Sequence, residues 1–135
     1  MQADALVHII DDDDEVRRSL AFLLRSARME VAVYESAAAF LEALSAISSG
    51  CIVTDVRMPH MSGMDLLRRL QELDVTLPVI VMTGHGDVPL AVDAMKIGAF
   101  DFLEKPFDDE NLLSSVRLAM GHWQKNAHRE TERFE

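Results

Sequence analysis

Residues 51–73 read CIVTDVRMPHMSGMDLLRRLQEL, and two periodicities meet inside them. Residues 51–55 form a short run rich in Val and Ile that ends in Asp55, the pattern of a strand buried among neighbours. A loop holding Pro59 and Gly63 follows. Beyond it, Leu66, Leu67, Leu70 and Leu73 recur at helical spacing and make one apolar stripe. The stretch is therefore one strand followed by one helix, and the same unit recurs on both sides of it. Toward the N-terminus, residues 6–10 lead into a helical segment, 15–28, whose stripe is Val16, Leu20, Leu23, Leu24 and Ala27, with Arg17, Arg18 and Arg25 facing water. Residues 30–34 then precede a helix with Ser36 as its N-cap and Phe40, Leu41 and Leu44 inside. Toward the C-terminus, residues 78–82 precede a helix opened by Asp87 and Pro89 and stopped at Gly98. Residues 100–104 precede a last helix, capped by Asp108 or Asp109, with Leu112, Leu113, Val116 and Met120 facing inward.

Strands separated by helices cannot pair as hairpins, so five such units predict a parallel sheet covered on both faces. Right-handed crossovers then select a doubly wound α/β fold. A chain of 135 residues fits one domain with a full hydrophobic core and no need of a metal or disulfide staple. Cys51 stands alone, which favours a reducing, cytoplasmic setting. Apolar runs of about five residues, against the roughly 18 of a membrane span, argue against membrane insertion. The balance of 13 basic against 23 acidic residues gives a formal charge of −10, a sign that repels phosphate backbones and argues against direct binding of nucleic acid.

In doubly wound sheets, ligands bind beyond the carboxyl ends of the strands. Asp11 and Asp12 end the first strand, Asp55 ends the third, Thr83 follows the fourth and Lys105 the fifth. All five converge on one edge. Three carboxylates held together would repel by roughly 1 to 4 kcal/mol per pair at effective dielectrics of 80 to 20. A hard divalent cation relieves that cost, and oxygen ligands suit Mg²⁺. A phosphoryl group moved onto Asp55 adds negative charge, which Lys105, the metal and the Thr83 hydroxyl can hold, and an Asp nucleophile forming an acyl phosphate is established chemistry. Asp13, Asp14 and Glu15 read instead as the acidic first turn of a helix. His8, His60, His122 and His128 read as structural or surface residues, and Met58, Met61 and Met64 as packing.

The segments HIIDDDDEVRRSL, VTDVRMPHMSGMDLL, VIVMTGHGD and FDFLEKPF resemble, in order and spacing, the signatures of response-regulator receiver domains of two-component systems, and the wording around TDVRMP and TGHGDVPLAVDAMKIGAFDFLEKPF is similar to the FixJ-like subgroup. The resemblance implies a flavodoxin-like sheet of order 2-1-3-4-5 and a receiver domain over residues 1–120, with 121–135 as a helix extension or linker toward an output domain. It implies Asp55 as phosphoacceptor and Asp11, Asp12, Asp55 and the backbone carbonyl of Arg57 as ligands of Mg²⁺, for which Mn²⁺ can substitute. It makes Thr83, Lys105 and Phe102 the phosphoryl-binding and switch residues, with Phe102 lacking the hydroxyl of a tyrosine. Arg57 and His85 fall at positions that tune phosphate lifetime. Val92, Met95, Lys96 and Asp101 fall on the output face formed by the fourth helix, fifth strand and fifth helix, implying a phosphorylation-dependent homodimer. The partner is a sensor histidine kinase, the output is transcription, and DNA is reached only through a further C-terminal domain. The chain is then a stoichiometric phosphoacceptor rather than an enzyme, apart from its own phosphorylation and dephosphorylation. Alternatives are a stand-alone receiver acting by protein contact and an Asp-nucleophile phosphatase, which would place an Asp where Arg57 stands. An EF-hand-like calcium site lacks its spaced ligands and Gly in DDDDE.

Overall fold

The computed structural model describes residues 6–47, 49–84 and 86–133, with side chains through residue 124. Strands and helices alternate: β1 (Leu6–Ile10), α1 (Asp14–Ser26), β2 (Glu30–Tyr34), α2 (Ala37–Ala43), β3 (Cys51–Asp55), α3 (Gly63–Glu72), β4 (Val79–Thr83), α4 (Val88–Ile97), β5 (Asp101–Glu104) and α5 (Asp109–Arg133). The five strands are all parallel, in the order β2-β1-β3-β4-β5. This is the doubly wound, flavodoxin-like sheet that the repeating strand–helix unit and the receiver resemblance predict.

The first three strands begin and end where the sequence places them, while β4 and β5 each start one residue later. At Pro78 there is no N–H to give to a ladder, and its carbonyl instead accepts from the Ile52 N–H at 2.9 Å. The other end gains a residue, because Thr83 pairs with Glu104. Local capping starts the helices at the expected points. Asp13 accepts from the N–H groups of Glu15 and Val16, Ser36 from that of Ala39, and Ser62 with Asp65 closes a reciprocal capping box on α3.

Side chains alternate across the sheet. Val7, Ile9, Val53, Ile80 and Met82 pack against Leu20 and Leu24 of α1 and Leu112 and Val116 of α5. On the other face Ile10, Ile52, Val79 and Val81 pack against Phe40 of α2, Leu66, Leu67 and Leu70 of α3 and Ala94 of α4. Two expectations change. Leu73 lies outside the apolar stripe, because α3 ends at Glu72 and the chain turns away there. Arg17 does not face water: its side chain is 15% exposed, and its guanidinium donates to the Asp11 carbonyl at 2.6 Å and pairs with Asp14 at 3.1 Å. The helix starts so soon after β1 that its first turn folds back over the strand end. Among the described residues no helix is long and apolar enough to cross a membrane.

His8 is fully buried in β1. Its Nε2 lies 3.1 Å from the Ser49 carbonyl, which can only accept, so Nε2 carries the proton and Nδ1 accepts from the Tyr34 hydroxyl at 3.2 Å. Phe40 closes the cluster, edge-on to both rings. A neutral imidazole thus satisfies both nitrogens, and burial lowers the His8 pKa below its ordinary 6.5, with the Ser49 carbonyl opposing weakly. As pH falls below that value the unfolded chain binds a proton that the folded chain refuses, so stability present above it is lost. The urea midpoint is expected to drop between pH 7.5 and 5.5 by more in the wild type than in His8→Phe; equal drops would remove His8 as the cause.

Candidate functional site

The carboxyl ends of β1, β3, β4 and β5 gather the predicted polar residues on one edge. One carboxylate oxygen from each of Asp11, Asp12 and Asp55 lies within 4.8 Å of the others, the single such cluster of acids, histidines and cysteines among the described residues. Lys105 brings its ammonium to 3.5 Å from Asp55 Oδ2 and 3.7 Å from Asp11 Oδ2. Asp12 is exposed, Asp55 partly buried and Asp11 buried. The two oxygens of Asp11 are held differently: Oδ1 accepts from the Asp13 N–H at 2.9 Å, whereas buried Oδ2 has no hydrogen-bond partner among the described residues and faces only the Lys105 ammonium at 3.7 Å. Burial pushes the Asp11 pKa above the usual carboxylate range, the Asp13 N–H pulls it down, and the Asp55 charge raises it further.

Several backbone features hold this arrangement. The Lys105 N–H donates to the Thr83 carbonyl at 2.8 Å, tying the end of β5 to the end of β4, and the Lys105–Pro106 peptide is cis. Gly63 passes directly beneath Asp55, where a Cβ would collide with the Asp55 carbonyl, and its N–H donates to the Val56 carbonyl at 2.8 Å. The Arg57 N–H lies 3.4 Å from Asp55 Oδ1. Thr83 is buried, its hydroxyl 3.5 Å from the Leu103 carbonyl, a long contact that leaves it free to take a better acceptor.

Other predicted residues sit apart from this cluster. Phe102 is 36% exposed, and Val92, Met95 and Lys96 lie on the exposed side of α4. Asp101 is engaged within the fold, its Oδ2 accepting from the Ser115 hydroxyl at 2.7 Å and its Oδ1 from the Phe102 N–H at 2.8 Å. His85 lies outside the described residues. Cys51 sits in the core, where burial pushes its thiol up to about 12, so no thiolate nucleophile competes with the acids near neutral pH. Sequence reading missed a contact made by Arg57. Its guanidinium turns to Asp87, with Nε 2.9 Å from Oδ2 and Nη2 3.0 Å from Oδ1, and this pairing holds the Asp87 carboxyl below the usual range. The only sequence signal at Asp87 was its place before a helix, which suggested a cap.

With this geometry in place, the sequence profile of the response regulator receiver domain matches residues 7–117. The chain belongs to the response regulator receiver domain family. Its polypeptide is similar to the transcriptional regulatory protein FixJ of Azorhizobium caulinodans, 57% identical over 129 residues that cover 96% of this chain and 61% of that protein. The crystal structure of FixJ-N superposes with a TM-score of 0.84 at 50% identity, covering 87% of this receiver domain chain and 94% of that one. Full-length FixJ from B. japonicum superposes with a TM-score of 0.87 at 48% identity, covering 94% of this chain and 63% of that one. The receiver chain spans between 56% and 61% of the length of the FixJ proteins it matches.

Proposed function

We propose that this receiver accepts a phosphoryl group on Asp55 from a sensor histidine kinase and relays the change to an output that controls transcription. The observation that carries this reading is the buried Asp11 Oδ2, with no hydrogen bond among the described residues, beside two further carboxylates and the Lys105 ammonium. Three carboxylates and one ammonium sum to −2, so the donor set fits a hard divalent cation. Asp11, Asp12, Asp55 and the Arg57 backbone carbonyl would hold Mg²⁺, or Mn²⁺ in its place. When bound, the ion neutralises charge on the incoming phosphoryl oxygens.

The rest is the work of the chain itself. An Asp55 oxygen attacks phosphorus, an O–P bond forms, and the bond from phosphorus to the donor nitrogen breaks with its electron pair leaving on the donor imidazole. Lys105, already within 3.5 Å of Asp55, holds the transferred group by charge, and the Thr83 hydroxyl turns from its long contact toward it. Phe102 follows into the space that Thr83 leaves, biasing the face of α4, β5 and α5 toward a homodimer through Val92, Met95, Lys96 and Asp101. Residues 1–120 serve as the receiver unit and 121–135 as the extension toward an output domain. The continuation of α5 to Arg133 suits that role. A cytoplasmic setting agrees with the lone buried thiol of Cys51.

The test is incubation with a small acyl phosphate, with Mg²⁺ or with a chelator, read by intact mass and by peptide mapping. One phosphoryl group per chain is expected, on the peptide holding Asp55 and only with the metal. No label, or label that ignores the chelator, overturns the reading.

A further inference from the structure

Asp87 occupies the N-cap position of α4, yet its carboxylate caps nothing. Both oxygens accept from the Arg57 guanidinium, in two parallel contacts of 2.9 and 3.0 Å across a sequence separation of 30 residues, and the Gly84 backbone adds a weaker hydrogen bond to the same carboxylate. We propose that Asp87 is a positioning residue for the Asp55 phosphoryl group: it restrains the Arg57 side chain while Asp55 is a bare carboxylate and releases it once a phosphoryl group is present, turning then to cap α4. The inference rests on the reading of Asp55 as phosphoacceptor and adds a second, charge-driven contact beside the strand end that carries Thr83.

Three observations support it. First, Arg57 stands two residues beyond Asp55, and its own N–H already lies 3.4 Å from Asp55 Oδ1, so its side chain springs from the rim of the site. The Arg57 side chain is 69% exposed, while the Asp87 partner is 21% exposed. A phosphoryl dianion offers the planar guanidinium fork more charge and more acceptors than one carboxylate does. Secondly, the pair is of the kind that can be exchanged. The guanidinium half is exposed to water, and a phosphoryl group offers it the same two-pronged geometry it has with Asp87, so one charged contact replaces another. Thirdly, the freed carboxylate has a specific place to go. N-caps accept from the N–H of the second or third helical residue, and the second here is Pro89, which has none. The Leu90 N–H is the remaining donor.

The same loop is tethered from its other side, where Glu104 Oε2 accepts from the Gly86 N–H at 2.7 Å. Gly86 is thus held by β5 and Asp87 by the β3–α3 loop, and release of Arg57 loosens the second of these contacts. Asp87 acts through Arg57 throughout and touches no reacting atom.

A double-mutant cycle with fluoroberyllate, a phosphoryl mimic, at saturating Mg²⁺ tests this, using the wild type, Asp87→Asn, Arg57→Ala and the double variant. Arg57→Ala keeps the backbone carbonyl assigned to the metal. Asp87→Asn is expected to lower the half-saturating fluoroberyllate concentration about two- to fivefold, the range of an exposed ion pair, and to have no effect in the Arg57→Ala background. Amide exchange at Leu90 is expected to slow when the wild type is saturated, and to be slow already in unliganded Arg57→Ala. An equal effect of Asp87→Asn in both backgrounds, or a Leu90 amide unchanged at saturation, overturns the proposal alone. If the wild type takes up no fluoroberyllate, the reading of Asp55 falls and this proposal with it.

Discussion

Asp55→Asn is expected to reduce acyl-phosphate labelling of the chain to background while leaving the fold intact. The carboxamide has no anionic oxygen to attack phosphorus, and of the two acids left on the edge Asp11 is buried beside Lys105 while Asp12 is the proposed holder of the metal. The same substitution removes one of three crowded negative charges, each of which repels its neighbours by roughly 1 to 4 kcal/mol. Without metal, the variant is therefore expected to melt no lower than the wild type. Added Mg²⁺ should raise its melting temperature less than that of the wild type, because a ligand stabilises a fold only in proportion to how tightly it binds. Label on Asp55→Asn equal to that of the wild type would remove the assignment, and a large loss of metal-free stability would mean that Asp55 is a structural acid.

The second large effect is expected at two glycines. At Gly50 the backbone φ is +102°, a left-handed conformation that other residues adopt only with strain, and a Cβ would fall on the carbonyl of Leu6 where β1 begins. At Gly63 a Cβ would fall on the carbonyl of Asp55. In both places the obstructing atom is backbone within the sheet and cannot step aside. Gly50→Ala and Gly63→Ala are each expected to cost more than about 3 kcal/mol, the upper end for ordinary single substitutions. Gly63→Ala should in addition slow phosphoryl transfer in whatever fraction stays folded, since it displaces the strand end that carries Asp55. Gly121 in α5 supplies the contrast. Nothing lies within 4 Å of its would-be Cβ, and Gly121→Ala is expected to stabilise by about 0.5 to 1 kcal/mol through the helix preference of alanine. Urea titration with an unchanged slope checks all three, and a shift of less than 1 kcal/mol at Gly50 would show that β1 can yield.

Asp11, Asp12, Asp55 and Lys105 were legible because their places depend on strand ends. A short run of buried, mostly apolar residues stops where a charged residue appears, and a parallel sheet brings all such stops to one side. Ser36 was legible as a cap for a similar reason, since a cap bonds to N–H groups two or three residues away, whereas Asp13, read as part of the first turn, is itself the cap of α1. Asp87 carried the same local signal, and it does stand at the start of α4, but its side chain bonds elsewhere. A bidentate guanidinium 30 residues earlier in the chain outbids a single N–H for the carboxylate. Arg17 was placed in water by its helical angle alone, although the strand end lying over the first turn of α1 gave it a carbonyl to bind.

The sequence by itself determined the alternation of strands and helices, the parallel sheet and the edge on which the acids gather. These follow from periodicity and polarity over a few neighbouring residues, where hydrophobic burial leaves little choice. Only the tertiary structure decided which charges pair: Arg57 with Asp87, Arg17 with the Asp11 carbonyl, His8 between Tyr34 and Ser49, and Asp11 left with one oxygen unbonded. Such contacts turn on ångström-scale distances between segments far apart in the chain, and Coulomb and hydrogen-bond energies change steeply over that range.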